Sequence, residues 1–208
     1  MIKITYLGHA SFKIESKDGV IITDPYQDNS VPGLKFPSNQ VCDFLFISHE
    51  HHDHNARELV TVRDGRTLSY LEHMAPHDKN GGKERGLTKF FIFYVEGLKI
   101  AHLGDMCDIT IQKNIEYLKN IDILLVPINN YYTMGPDEAK TLCDAIKPKL
   151  VIPMHYRNIK NQSGYEDGNQ IERFKNYFPN YIEVNEVSIN VDDYLNKYEA
   201  VIFNNCLQ

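Results

Sequence analysis

The sequence predicts a mixed α/β protein built as one domain over residues 1–208. Its first 25 residues predict three strands: two runs that alternate between apolar and polar side chains on either side of Gly8, and an apolar run, Val20-Ile21-Ile22, after the turn-forming pair Asp18-Gly19. After these predicted strands, short apolar runs alternate with segments of helical spacing. With 208 residues, of which 42% are hydrophobic, the chain is long enough to bury a sizeable core.

The remaining elements follow from periodicity and from turn residues. Strands are predicted at 43–47, 89–95, 98–103, 121–127, 150–154, 181–191 and 199–203, and helices at 111–118, 136–146 and 170–178. A short helix is expected after Asn55, and the pattern over 59–75 is weak. Residues 26–41 and the glycine-rich segment 76–86 are predicted to be loops, the second of them exposed.

Charge, hydropathy and cysteine spacing limit the partners and the cellular location that we expect for the protein. The net charge of −6 and the absence of any long basic run argue against nucleic acid. No apolar stretch is long enough to span a membrane, and the N terminus does not resemble a signal peptide, so we expect a cytoplasmic location. The four cysteines are far apart and indicate neither a disulfide framework nor a zinc knuckle. Homo-oligomerisation remains open.

The densest chemical signal is the run Ser48 to His54, which holds four histidines and two carboxylates directly after a predicted strand. His49 and His51 are two positions apart, so an extended backbone would project both onto one face, where they could bind one cation. Asp53 and His54 follow where the chain must turn, and they could bind a second cation. His52 would then point away from the metals.

Two cations need more ligands than this run supplies. The natural supplements are His77 in the glycine-rich loop, Asp105 after a strand and His155 after another strand. A carboxylate such as Asp105 can bridge two metals that lie roughly 3.5–4 Å apart. A mixed nitrogen and oxygen ligand set suits zinc, and also manganese or iron.

Five segments, in this order, give the chain a family resemblance. They are Tyr6-Leu7-Gly8-His9-Ala10-Ser11-Phe12, His49-Glu50-His51-His52-Asp53-His54, His77-Asp78 with Gly81-Gly82 and Arg85-Gly86, His102-Leu103-Gly104-Asp105, and Ile152-Pro153-Met154-His155-Tyr156. The second matches the H-x-H-x-D-H signature of the metallo-β-lactamase superfamily. Together they resemble the branch of metal-dependent hydrolases similar to ascorbate-6-phosphate lactonase.

This resemblance implies a four-layer αβ/βα sandwich with two metals at one edge, between two sheets. It places His49, His51 and His77 on one metal. It places Asp53, His54 and His155 on the other metal, with Asp105 as the bridge. Asp24 matches an aspartate that supports the ligands from behind, and His9 and His102 are further candidates for hydrogen bonds that fix the histidine tautomers. His73 is an alternative to His77, and otherwise is expected at the surface.

The chemistry expected from such a site is hydrolysis. Two cations lower the pKa of a bound water to about 7, so that hydroxide can attack a carbonyl or phosphoryl centre. Asp53 or Asp105 could accept or relay a proton. The preferred substrate is a small, anionic ester, lactone or phosphoester. The alternatives are a phosphodiesterase or nuclease, a di-iron redox protein, and a metal-binding protein without catalysis; β-lactam hydrolysis is disfavoured.

Substrate contacts are predicted from the surrounding loops. Arg85 and Arg157 could bind a phosphate or carboxylate through charge-assisted hydrogen bonds, and Tyr132 could contact the substrate. Lys83 is more simply explained as a solvated loop charge.

Overall fold

The computed structural model describes residues 1–107, 109, 112–156 and 169–208, so that Arg157 lies outside the described residues. In chain order the strands are β1 Lys3–Gly8, β2 Ser11–Ser16, β3 Gly19–Thr23, β4 Gln40–Cys42, β5 Phe44–Phe46, β6 Val60–Val62, β7 Ser69–Pro76, β8 Leu87–Val95, β9 Leu98–His102, β10 Ile123–Pro127, β11 Leu150–Met154, β12 Tyr181–Val184, β13 Ser188–Asn190 and β14 Ala200–Phe203. The α-helices are α1 Gln112–Tyr117, α2 Pro136–Ile146 and α3 Gln170–Tyr177, and short 3-10 helices cover Arg57–Leu59 and Val191–Asp193.

Two sheets face each other. One has five strands in the order β13-β1-β2-β3-β5, and the other has seven in the order β12-β14-β11-β10-β9-β8-β7. A separate parallel pair joins β4 to β6. The seven-stranded sheet is parallel from β12 through β9 and antiparallel from β9 to β7.

Side-chain alternation along the strands builds two apolar cores. In β10, Ile123 and Leu125 pack between the two sheets, whereas Leu124 and Val126 pack toward the helices. Because both faces of this strand are covered, its sequence is a continuous apolar run. The helices therefore cover the outer face of the seven-stranded sheet, and the mixed α/β fold predicted from the sequence is confirmed.

Helix α2 shows how local sequence fixes an element. It begins at Pro136, whose missing N–H costs nothing in the first turn, and Glu138 accepts a hydrogen bond from the Gly135 amide at 3.0 Å. Its buried residues recur at helical spacing and pack into the outer core; they are Ala139, Leu142, Cys143 and Ile146. The helix ends at Ile146, and the following Lys147 caps it in a left-handed conformation.

Three predicted elements differ from the structure. The weak segment 59–75 contains β6 and most of β7, an edge strand whose Tyr70, Leu71 and Met74 are exposed, so that it lacks a one-sided apolar pattern. The loop predicted at 26–41 ends in β4. The single strand predicted at 181–191 is two strands, β12 and β13, which lie in different sheets.

No α-helix in the described ranges has the length and apolar character needed to cross a membrane.

Candidate metal centre

The polar residues predicted at the strand ends meet at one edge of the molecule, where the two sheets are joined by backbone hydrogen bonds. The His155 amide donates to the His9 carbonyl at 2.9 Å, and the Lys89 amide donates to the Ser48 carbonyl at 2.8 Å. His9, Asp24 and the histidine run follow strands of the five-stranded sheet, whereas His77, Asp105 and His155 follow strands of the seven-stranded sheet. The site is therefore built from both sheets.

A first group of nitrogens comprises His49, His51 and His77. His51 Nδ1 lies 3.0 Å from His49 Nε2 and 3.3 Å from His77 Nε2. Nitrogens bound to one tetrahedral zinc at about 2.0–2.1 Å are roughly 3.3 Å apart. The spacing of these three nitrogens thus fits a single cation.

A second group comprises His9, Asp53, His54 and His155, each of which offers one ligand atom within 4.8 Å of the others. Asp53 Oδ2 lies 3.1 Å from His9 Nε2 and 3.6 Å from His54 Nε2. The rings of His9 and His155 are 3.9 Å apart between centroids. His9, which the sequence placed behind the ligands, therefore lies directly among them.

Asp105 stands between the two groups. Its Oδ2 lies 3.9 Å from His49 Nε2 and 3.4 Å from His77 Nε2 on one side. On the other side it lies 3.3 Å from His54 Nε2 and 3.2 Å from His155 Nε2. A single carboxylate oxygen that faces both groups is the arrangement that a bridging ligand requires.

Asp24 fixes two of the histidines from behind. Its Oδ2 lies 2.9 Å from His54 Nδ1 and accepts the hydroxyl hydrogen of Ser48 at 2.6 Å, and its Oδ1 accepts the Ser48 amide at 2.7 Å. Because an ionised carboxylate can only accept, His54 carries its proton on Nδ1 and presents Nε2 to the cluster. Ser48 Oγ also lies 2.9 Å from His49 Nδ1, which likewise turns His49 Nε2 toward the cluster.

The charge of the cluster favours cations. Burial lowers the pKa of His9 to about 4 and that of His49 to about 3, so both rings are neutral at pH 7. Burial also opposes the charge on His54, but Asp105, Asp53 and Asp24 raise its pKa well above the usual value. Three carboxylates, Asp24, Asp53 and Asp105, thus share the site with the neutral rings of His9 and His49, and such negative charge needs compensation by cations.

Several buried ligand atoms also lack partners. His54 Nε2, His155 Nε2 and Asp105 Oδ1 have no well-directed hydrogen bond to any residue that the structure describes. Unpaired buried polar atoms of this kind are rare in folded proteins unless an ion or water satisfies them. The spacing, the charge and these orphaned atoms all fit divalent metal ions.

Comparison with known proteins agrees with this geometry. The family model of the beta-lactamase superfamily domain matches residues 3–155. The chain belongs to the metallo-β-lactamase superfamily. A UPF0173 metal-dependent hydrolase of Natranaerobius thermophilus is 29% identical over 186 residues, covering 74% of this chain and 83% of its own. A UPF0173 metal-dependent hydrolase of Lysinibacillus sphaericus is 26% identical and covers 90% of this chain and 96% of its own.

A solved structure gives the same result for the fold. A proposed Zn-dependent hydrolase of the metallo-β-lactamase superfamily from Thermotoga maritima superposes with a TM-score of 0.72 at 28% identity, covering 98% of both chains. The metallo-β-lactamase fold and the general class of metal-dependent hydrolase, both expected from the sequence, are thereby confirmed.

Three further histidines of this superfamily member lie outside the two groups. His52 is exposed and belongs to neither group. His102 is buried and bonds the turns that carry the site, because its Nε2 lies 2.8 Å from the Ala10 carbonyl and its Nδ1 accepts the Gly104 amide at 3.2 Å. His73 is partly exposed on the edge strand β7, where its ring stacks on that of Tyr117 with the centroids 3.6 Å apart, and it belongs to neither group of candidate ligands.

Hydrogen bonds hold the glycine-rich loop in a defined conformation that its sequence does not predict. Asp78, which is buried, accepts four backbone amides at 2.8–2.9 Å, from Asn80, Gly82, Glu84 and Arg85. Burial raises the pKa of this carboxyl, but the four amides outweigh that effect and lower it to about 2. The expectation of an exposed loop over 76–86 was therefore wrong for its first three residues: Pro76 ends β7, and His77 and Asp78 are buried where the following backbone folds over the carboxylate.

A cavity of about 690 Å³ opens onto the cluster of candidate metal ligands. Its lining includes His51, His77, Asp105 and His155 together with the predicted substrate contacts Arg85 and Tyr132. Lys83 is exposed and does not line it. The volume lies within the range of about 300–1,000 Å³ that is usual for small-molecule sites.

Proposed function

We propose that this metal-dependent hydrolase binds two divalent cations and cleaves a small ester, lactone or phosphoester. Zinc is the first choice of metal, with manganese or iron as alternatives, because the ligand set is mixed nitrogen and oxygen without thiolate. The observation that carries the proposal is the position of Asp105 Oδ2, within 4 Å of histidine nitrogens in both groups.

Each residue of the site has a role in this proposal. His49, His51 and His77 would hold one cation, Asp53, His54 and His155 would hold the other, and Asp105 would serve both. When bound, such metals lower the pKa of water and polarise the oxygen of the substrate. Asp24 and Ser48 keep the imidazoles in the tautomers that leave Nε2 available.

Asp53 is the better placed of the two carboxylates to accept a proton. Its side chain is 30% exposed toward the cavity, whereas that of Asp105 is 2% exposed. His9 Nε2, at 3.1 Å from Asp53 Oδ2, holds the carboxylate in position. In this assignment Asp105 serves mainly to bridge the cations, and Asp53 moves the proton.

Metal content and activity of matched variants test the proposal. His51→Ala removes a nitrogen of the first group, and His52→Ala removes the adjacent, exposed imidazole, which lines the cavity but belongs to neither group. Elemental analysis should find close to two transition metals per chain in the wild type and in His52→Ala, and at most about one in His51→Ala. Hydrolysis should be lost only in His51→Ala.

The assay uses a panel of aryl esters, lactones with and without a phosphate group, and phosphodiesters. A phosphorylated lactone belongs in the panel because of the resemblance to the ascorbate-6-phosphate lactonase branch, and phosphodiesters test the nuclease alternative. Full metal content and unchanged turnover in His51→Ala would refute the assignment. Full metal content with no turnover of any compound would favour a metal-binding protein without catalysis.

A further inference from the structure

We infer that Arg85 and Tyr132 form a subsite for an anionic group of the substrate, a carboxylate or phosphate held beside the scissile bond. This inference names the substrate class of the cavity and rests on the proposed hydrolase function. Three observations support it. Hydrogen bonds fix the loop that carries Arg85, the guanidinium lies in the lining of the cavity, and no carboxylate in the described part of the chain pairs with it.

Hydrogen bonds fix the backbone around Arg85. The Arg85 amide donates to Asp78 Oδ2 at 2.8 Å, and the Gly86 amide donates to the Gly82 carbonyl at 3.0 Å. The Gly86 carbonyl accepts the amide of His77, a member of the first metal group, at 3.1 Å. Arg85 is thus tied through its own loop to the backbone of a proposed metal ligand.

The guanidinium is held by two neighbours that leave its charge unneutralised. It lies 4.5 Å from the centroid of the Tyr132 ring, and its Nη1 donates to the Tyr131 carbonyl at 2.9 Å. No ion pair joins Arg85 to an aspartate or glutamate within the residues that the structure describes. An aromatic face and a neutral carbonyl orient a guanidinium without cancelling its charge.

Two glutamates also line the cavity, and neither neutralises Arg85. Glu50 pairs with Arg57, and Glu84, which is exposed, is 3.5 Å from Asn80 Nδ2. Since a guanidinium has five N–H donors in a planar fork, one bond to Tyr131 leaves a fork for a carboxylate or phosphate. A guanidinium in this position therefore binds two oxygens of one anion better than the ammonium group of a lysine would.

The same loop provides a matched control. Lys83 carries the same charge two residues earlier, but it is exposed and does not line the cavity. Arg85→Gln and Lys83→Gln therefore remove one positive charge each from one loop, and only the first removes it from the proposed subsite. Arg85→Lys keeps the charge but loses the planar fork.

The test compares a neutral ester, p-nitrophenyl acetate, with an anionic ester of the same leaving group, mono-p-nitrophenyl glutarate, on the zinc-loaded protein. We expect Arg85→Gln to lower the ratio of kcat/KM for the anionic over the neutral ester by roughly ten- to a hundredfold, the usual worth of a charge-assisted pair. The loss should fall mainly on KM. Arg85→Lys should recover part of the ratio, and Lys83→Gln should leave it unchanged.

Binding of glutarate, measured by calorimetry on the same proteins, separates the two proposals. Glutarate binding that weakens about tenfold in Arg85→Gln alone, with no ester hydrolysed by the wild type, would support the subsite and contradict the hydrolase. Hydrolysis of both esters with the same ratio in Arg85→Gln as in Lys83→Gln would overturn the subsite while the hydrolase stands.

Discussion

At the scale of single residues, the site is marked by unusual backbone conformations. His9, Asp24 and His155 have φ values of 56°, 42° and 54°, in the left-handed region that side chains other than glycine rarely adopt. Each of the three follows a strand and turns its side chain into the cluster. Conformations of this kind persist only where the surrounding structure holds them, and they concentrate at functional sites.

Asp24→Asn tests how much the buried carboxylate contributes to metal binding. Asparagine tolerates left-handed backbone and can still accept the Ser48 amide. Its NH₂ group, however, would face the Nδ1–H of His54 and favour the tautomer that has its proton on Nε2. We expect metal affinity, measured by competition with a chromophoric chelator, to fall by roughly 10–100-fold.

Asp43→Asn is the control for that variant. Asp43 is also a buried carboxylate, lying just before β5, and it accepts the Val20 amide at 2.8 Å and pairs with Arg63 at 3.0 Å. It lies at the opposite end of β5 from the cluster, so its substitution should affect stability and leave metal affinity unchanged. Equal metal affinities in the two variants would contradict the role assigned to Asp24.

The sequence was informative at this scale where ligand types are dense. His49, His51, Asp53 and His54 stand out because no packed core needs such a run, and the structure brings them together. The direct contact of His9 with Asp53 and the four amides on Asp78 could not be predicted, because both depend on how distant segments meet or how a loop closes.

At the scale of elements, strand β9 shows how tight packing positions Asp105. A glycine flanks each end of this strand, Gly97 with φ 83° and Gly104 with φ 53°. A Cβ on Gly104 would lie 2.5 Å from Thr88 Oγ1 and 2.6 Å from the Lys89 carbonyl oxygen, whereas a Cβ on Gly97 would meet nothing within 4 Å. The end of β9 therefore approaches β8 closely enough that only glycine fits there.

Substituting each glycine by alanine separates strain from steric conflict. Gly97→Ala should cost about 1–2 kcal/mol of unfolding free energy, the cost of left-handed backbone alone. Gly104→Ala should cost clearly more and should also weaken metal binding, because Thr88 Oγ1 accepts the Asp105 amide at 3.2 Å and would be displaced. Denaturant titration and metal competition measure the two effects; equal unfolding free energies would show that the approach of β9 to β8 is not limiting.

At the scale of elements, the sequence predicted the fully buried helices and strands best. Helix α2 and strand β11 match the bounds predicted from sequence because their patterns are continuous and fully packed. Strand β7 was missed because an edge strand with exposed apolar residues on both faces gives no alternation. The break between β12 and β13 was missed because both halves alternate, and only the sheet to which each belongs distinguishes them.

At the scale of the whole molecule, the cluster joins the two sheets. Within each proposed metal group, ligands come from both sheets: His51 with His77 in the first, and His54 with His155 in the second. A cation bound in either group would therefore clamp one sheet to the other, and its binding free energy would add to the stability of the sandwich.

The pH dependence of the metal-free protein follows from the same burial. The folded-state pKa values of about 4 for His9 and about 3 for His49 lie below the unfolded value of 6.5, so below pH 6.5 the unfolded chain binds more protons. Stability should then fall on acidification from pH 6.5 to 4.5, by at most about 1.4 kcal/mol per pH unit for each histidine. His54, whose folded-state pKa is raised, acts in the opposite sense: its stabilisation is fully present below the unfolded value of 6.5 and is lost as the pH rises through its folded-state pKa.

Denaturant unfolding in chelator, with and without restored zinc, measures both effects. At pH 7.5, free zinc at about 1,000 times its dissociation constant should stabilise the wild type by roughly 4 kcal/mol, and the gain should shrink toward pH 5 because the imidazoles must be neutral to bind. In His51→Ala the gain at pH 7.5 should be smaller at the same free zinc concentration.

An unfolding midpoint of the metal-free protein that does not change between pH 6.5 and 4.5 would contradict the buried neutral state of His9 and His49. An unchanged wild-type midpoint on adding zinc at pH 7.5 would contradict the clamp between the two sheets.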